Sequence, residues 1–90
     1  MYIHIVHTYL VGTKFWIGQH LRIEVRSREH NPPHVHAMAK GAEAVINLLT
    51  LEIENCEGFS KATLKLILEW VTENKSILLE AWNYEQEKDS

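Results

Sequence analysis

Cysteine is almost absent from this chain: Cys56 stands alone among ninety residues. One thiol cannot close an intramolecular disulfide, so the fold is not held by oxidative staples, and a reducing, cytoplasmic setting is expected. Cys56 has no nucleophile context around it and reads as a plain structural thiol. Proline is scarce, with two residues side by side as Pro32-Pro33, and no stretch rich in Pro, Gly or Ser divides the chain. Long apolar runs are missing, which excludes a spanning helix. The start, Met1-Tyr2-Ile3-His4-Ile5-Val6-His7, carries neither a basic leader nor a cleavage-site pattern, so no signal peptide is expected. A basic excess is also missing. The formal charge is −3, which argues against a general coat for nucleic acid, since phosphate binding needs clustered Lys and Arg. It leaves room for a small local site: Arg22, Arg26 and Arg28, with Lys40 further on, are either a solvated strand face or an anion site.

What is present is the make-up of one globular domain over residues 1–90, with 46% hydrophobic and 23% charged residues. A domain this small buries a little over half of the surface its unfolded chain exposes, so single core contacts matter. The first half has the patterning of strands. Tyr2 to Val6 is β-rich and roughly alternates, and residues 1–13 are expected to add an N-terminal strand or hairpin. Lys14 to Ile17 reads as a short strand or part of a hairpin. Leu21, Ile23 and Val25 alternate with Arg22, Glu24 and Arg26, the period of two of a strand with one buried face. Asn31-Pro32-Pro33 breaks the pattern, because proline cannot donate to a ladder and restricts its predecessor. His34 to Ala39 resumes in extended form, Lys40-Gly41 signals a turn, and Glu43 to Leu49 makes another strand, running on towards Ile53.

The second half has the patterning of helices. Ser60 is a natural N-cap. Leu64, Ile67, Leu68 and Val71 follow at helical spacing, with Leu66 and Trp70 widening the stripe. Asn74 interrupts, and a second helix turns Ile77, Leu78, Ala81 and Trp82 inward; one unbroken helix through Asn74 is the alternative. Residues 85–90 read as a frayed polar tail. The fold class expected is α+β: a small antiparallel sheet covered on one face by two C-terminal helices. Trp70 and Trp82 are expected in the core, with an exposed Trp70 face for a partner as the other reading.

Six histidines occur, and His30, His34 and His36 fall within seven positions. His34 and His36, two apart on a strand, point to the same face with α-carbons about 7 Å apart. Pro32-Pro33 stiffens the approach to them, which lowers the entropic cost of holding a site. Three chemistries fit. Two imidazoles can converge on a Zn²⁺-like ion, with His30, Glu29 or Glu43 as the third ligand. The same pair can act as acid and base on RNA, deprotonating a ribose hydroxyl and protonating a leaving oxygen, with Arg28 or Lys40 stabilising charge on phosphorus. Or the imidazoles bond backbone groups around the Pro-Pro turn and hold strands together. His4, His7 and His20 lie outside the cluster and read as surface or packing residues.

Glu29-His30-Asn31-Pro32-Pro33-His34-Val35-His36-Ala37, placed after the strand Leu21 to Val25, forms one signature. Gly58-Phe59-Ser60, then Leu64, Ile67, Val71 and Asn74, and then Leu78-Leu79-Glu80-Ala81-Trp82 form a second. Together and in this order they resemble the bacterial domain-of-unknown-function family numbered 4160, from about Lys14 to Tyr84. The start from Met1 to His7 is longer than the family's usual one. The resemblance implies a bacterial, cytoplasmic protein whose gene is paired with that of another small protein, as in a toxin–antitoxin module. The partner expected on that basis is a small protein or a second copy of the chain, with RNA as a candidate substrate and no membrane. In this reading His34, His36, His30 and Arg28 are the catalytic candidates. His34 and His36 are ligands of a divalent transition metal in the alternative, and a non-catalytic interaction module is the third reading.

Overall fold

A computed structural model describes residues 12–87. Among these, five strands precede two helices. The strands are β1 (Thr13–Ile17), β2 (Leu21–Val25), β3 (His34–Ala39), β4 (Ala42–Asn47) and β5 (Ile53–Glu57). The helices are α1 (Lys61–Glu73) and α2 (Lys75–Glu87). The strands pair antiparallel in sequence order, β1-β2-β3-β4-β5, as a meander. The fold is therefore the α+β arrangement of a strand half followed by a helical half. The expected strand at Tyr2 to Val6, with His4 and His7, lies outside the described residues.

Short connections dictate this order. Lys40-Gly41 joins β3 to β4 as a two-residue hairpin, with Gly41 at φ 72° where a side chain would be strained. Alternation in β2 buries Leu21, Ile23 and Val25. Their neighbours Phe15, Val35, Ala37, Ala44 and Ile46 complete an apolar sheet face. The helices cover that face with Ile67, Val71, Leu78 and Trp82, all within one core cluster. Each large apolar side chain buried there contributes about 1.5–3 kcal/mol relative to leaving it in water.

The helix boundaries follow from local chemistry. Ser60 caps α1, its hydroxyl accepting from Thr63 N at 3.1 Å. Asn74 ends it: its backbone N–H and its side-chain amide both donate to the Trp70 carbonyl, at 3.0 and 2.8 Å. The chain then restarts as α2, so two helices form and not one. Trp82 is core at 3% exposure, and Trp70 packs partly buried against Phe15, ring centroids 6.0 Å apart.

Four expectations need correcting. The strand starting near Glu43 does not run on to Ile53. It stops at Asn47, whose side-chain oxygen accepts from the backbone of Leu49 and Thr50 at 2.8 and 3.0 Å and turns the chain into β5. Ile77 does not face inward but is 46% exposed, since α2 turns Leu78 and Trp82 to the sheet. Leu66 likewise stays half exposed. Finally, of the tail expected over residues 85–90, Glu85 to Glu87 is the last turn of α2, and residues 88–90 lie outside the described residues. Glu85 is fully buried and accepts from the Thr13 hydroxyl at 2.5 Å.

Candidate metal centre

Residues 26–33 connect β2 to β3. Arg28 sits in this connection with φ 58°, a left-handed backbone uncommon for a side-chain-bearing residue, and Asn31-Pro32 is cis. The connection is tied to α2 by one side chain. Gln86 donates to the Arg26 carbonyl at 2.7 Å and accepts from the Glu29 N–H at 2.9 Å. This double bond of an amide to two backbone groups fixes where Glu29 stands relative to β3.

Glu29 turns its carboxylate to the histidines of β3. Its Oε1 lies 2.6 Å from His36 Nε2 and 3.3 Å from His34 Nε2. The two rings meet edge to face with centroids 5.2 Å apart. One donor atom from each of Glu29, His34 and His36 falls within 4.8 Å of the other two. All three are partly buried, with side-chain exposures of 27%, 16% and 15%. The cluster is thus sheltered yet open to a small ligand.

Two neighbours position the imidazoles. His34 Nδ1 lies 2.8 Å from the Pro32 carbonyl. A carbonyl only accepts, so Nδ1 carries a proton and donates to it. On its other side the ring lies against Trp82 of α2, centroids 5.0 Å apart. His36 pairs across the sheet with Glu24 of β2 and Val45 of β4.

Burial and neighbouring charges shift two of the three groups. Burial pushes the Glu29 carboxyl up, but the His36 hydrogen bond and the nearby charges of His36 and His34 outweigh it, so Glu29 ionises more readily than an ordinary carboxyl. Burial pushes His36 down, and the positive charges of Arg26 and His34 act the same way. Together they overcome the raising effect of Glu29, so His36 takes up a proton less readily than an ordinary imidazole. A carboxylate and neutral imidazoles are the forms that bind metal.

Of the sequence candidates, His34 and His36 come together, and Glu29 joins them from among the three proposed third ligands. His30 is exposed and lies outside the three-residue group; Glu43 is exposed and faces Met38 across the β3–β4 pair. Arg28 is exposed at the bend before Glu29, and Lys40 sits at the distant β3–β4 turn. His20 is exposed in the β1–β2 turn. Two positioning residues had no sequence signal pointing to this site: Gln86, 57 positions from Glu29, and Trp82, whose contact with His34 lies behind an ordinary core role. The signal that was available for Glu29 is its place beside the His-rich run.

The fold and the cluster define a class: a small antiparallel sheet backed by two helices, carrying a two-histidine, one-carboxylate group where the sheet meets α2. The chain belongs to a domain of unknown function (DUF4160), whose family model matches residues 21–83 and so spans both the histidine signature and the helices. No curated protein and no solved structure matches it. Among the described residues, no helix is long and apolar enough to cross a membrane.

Proposed function

We propose that this protein binds a divalent transition metal through Glu29, His34 and His36. The observation that carries the reading is the convergence of one donor atom each from Glu29, His34 and His36 within 4.8 Å of one another. Nδ1 of His34 donates to Pro32 O, and its Nε2 is turned to an oxygen of Glu29 at 3.3 Å. A metal-bound histidine typically donates its other N–H to a carbonyl or carboxylate, which is the role Pro32 O fills.

Distances support the same reading. Ligands at about 2.1 Å around a tetrahedral ion stand about 3.4 Å apart. The Glu29–His34 separation already fits, and the Glu29–His36 separation would open by roughly 1 Å. Three protein ligands leave a position for water or substrate, as in catalytic and not structural zinc sites. The test is a calorimetric titration of chelator-treated protein with Zn²⁺, Ni²⁺ and Mn²⁺. One-to-one binding that disappears in His34→Ala and in His36→Ala is expected. Binding that survives both substitutions, or no binding at all, overturns the proposal.

A second reading, free of metal, is favoured by the 2.6 Å contact between Glu29 and His36. A carboxylate that accepts from one imidazole nitrogen orients the ring and leaves the other as a base, and His34 stands beside it as the acid. With the family resemblance this supports a bacterial, cytoplasmic component of a two-gene toxin–antitoxin module that binds a small partner and acts on RNA. In that reading His30 and Arg28 flank the substrate. Growth arrest on expression, lost in His36→Ala and insensitive to chelators in a purified RNA-cleavage assay, is what it requires.

A further inference from the structure

The sheet face not covered by the helices has a polarity of its own. Strand register puts Lys14, Glu24 and His36 in one row across β1, β2 and β3, and Trp16, Arg22 and Met38 in the next. Arg26 follows Glu24 by two and shares that face by alternation. Glu24 is 6% exposed because two guanidiniums close over it. Arg22 donates through Nε at 2.6 Å, and Arg26 through Nε at 2.9 Å with Nη2 at 2.8 Å. The arginines remain 31% and 39% exposed, and each fork has further donors beyond those turned to Glu24. Among the described residues, three cations, Lys14, Arg22 and Arg26, thus stand with two carboxylates, Glu24 and, at the His36 end, Glu29, on a chain whose formal charge is −3. The Trp16–Arg22–Met38 row continues to Glu43 and Glu57 on β4 and β5, away from β1 and β2, and the other row continues to Val45 and Asn55.

An aromatic ring completes the patch. Trp16 is 53% exposed, although it is among the largest side chains, and the Arg22 guanidinium carbon lies 5.9 Å from its ring centroid. An exposed indole beside guanidiniums is suited to stack a nucleobase while the cations hold its phosphate. The basic patch runs directly into the histidine cluster: Glu24 faces His36 across the β2–β3 pair, and the charge of Arg26 is felt at the His36 ring.

We propose that the open face of β1 and β2 binds a nucleotide phosphate ester, with Trp16 under the base and Lys14, Arg22 and Arg26 around the phosphate, beside the Glu29-His34-His36 centre. The proposal deepens the metal-binding reading and rests on it for what the phosphate meets next. The bound group is a phosphate attached to a base, whether free as a mononucleotide or within a single strand. A duplex is disfavoured, because its bases are stacked on one another and closed to Trp16.

The experiment is fluorescence anisotropy of a fluorescein-labelled twelve-nucleotide single-stranded RNA, with the full chain, in the presence and absence of Zn²⁺ and at two salt concentrations. Trp16→Ala and Lys14→Glu are the test variants, since both positions are exposed and neither holds Glu24. Each is expected to weaken binding about tenfold, and added salt is expected to weaken wild-type binding. Zn²⁺ titrations of the same variants are expected to match wild type. Adenosine monophosphate that displaces the probe marks the free nucleotide as sufficient; displacement only by unlabelled RNA marks the strand. No binding with or without Zn²⁺, or binding indifferent to both substitutions, overturns the proposal while leaving the metal titration intact. A wild-type protein that fails to bind Zn²⁺ overturns the metal reading alone, and the anisotropy without metal then decides the phosphate site.

Discussion

The ring of His34 lies against Trp82, centroids 5.0 Å apart, so a candidate ligand on the sheet touches a core residue of α2. Emission from Trp82 should therefore report occupancy. Cu²⁺ or Co²⁺ held by His34 is expected to quench tryptophan fluorescence, and Zn²⁺, with a filled d shell, to quench it far less. Trp82→Phe should remove most of the quenching while Trp70 and Trp16 still emit. Equal quenching in wild type and Trp82→Phe would place the ion elsewhere.

Acid is expected to destabilise the protein. The pKa of His36 is lowered from its ordinary 6.5. Below that value the unfolded chain binds a proton more readily than the native one, so stability falls as pH drops from 6.5 through the lower native value. Glu29 and Glu24 are lowered from 4.5. For Glu24, burial alone would raise it, but the hydrogen bonds and charges of Arg22 and Arg26 outweigh burial. Their contribution is present above 4.5 and is lost as pH falls through their native values, which has the same sign. The melting temperature of metal-free protein should decline in two stages between pH 7 and pH 3. In His36→Gln the upper stage should be absent.

Gln86→Ala should cost stability and metal affinity together. The side-chain amide serves two backbone groups, Arg26 O and Glu29 N, and each lost bond is worth about 0.5–1.5 kcal/mol. Urea unfolding should show a loss of about 1–3 kcal/mol. A connection no longer tied to α2 leaves Glu29 free to wander, so Zn²⁺ affinity should also fall. Lost stability with unchanged affinity would show that β3 alone sets the site.

Asn47→Ala should weaken the β4–β5 turn without touching the metal. The Asn47 side-chain oxygen accepts from two backbone N–H groups, and its amide also donates to Glu54 at 3.2 Å. A loss of about 1–2 kcal/mol in urea unfolding is expected, with Zn²⁺ binding kept.

The parts of the fold legible in the sequence are those where local chemistry and tertiary packing agree. The alternation of Leu21 to Val25, the Lys40-Gly41 turn, the Ser60 cap and the break at Asn74 all reappear as structure. β5 was not legible because it is an edge strand with mostly exposed residues, Glu54, Asn55, Cys56 and Glu57, and so has no apolar face to alternate. Edge strands often carry such charges, which discourage pairing with other chains. The His34–His36 pair was legible because a strand fixes the direction of residues two apart. Which of Glu29, His30 and Glu43 joins them was not, because the path of a bend such as that at Arg28, φ 58°, is set by contacts with α2 and not by neighbours in sequence.

The bonds of Gln86 to residues 57 and 60 positions earlier have a consequence for biosynthesis. A ribosome releases His34 and His36 while Trp82 and Gln86 are still to be added, so the nascent chain offers imidazoles without the shape that selects among ions. On the metal-binding proposal, selective loading must then wait until α2 docks. The cell would fill this centre after translation, and the ion it receives would be set by what is available where the chain finishes folding.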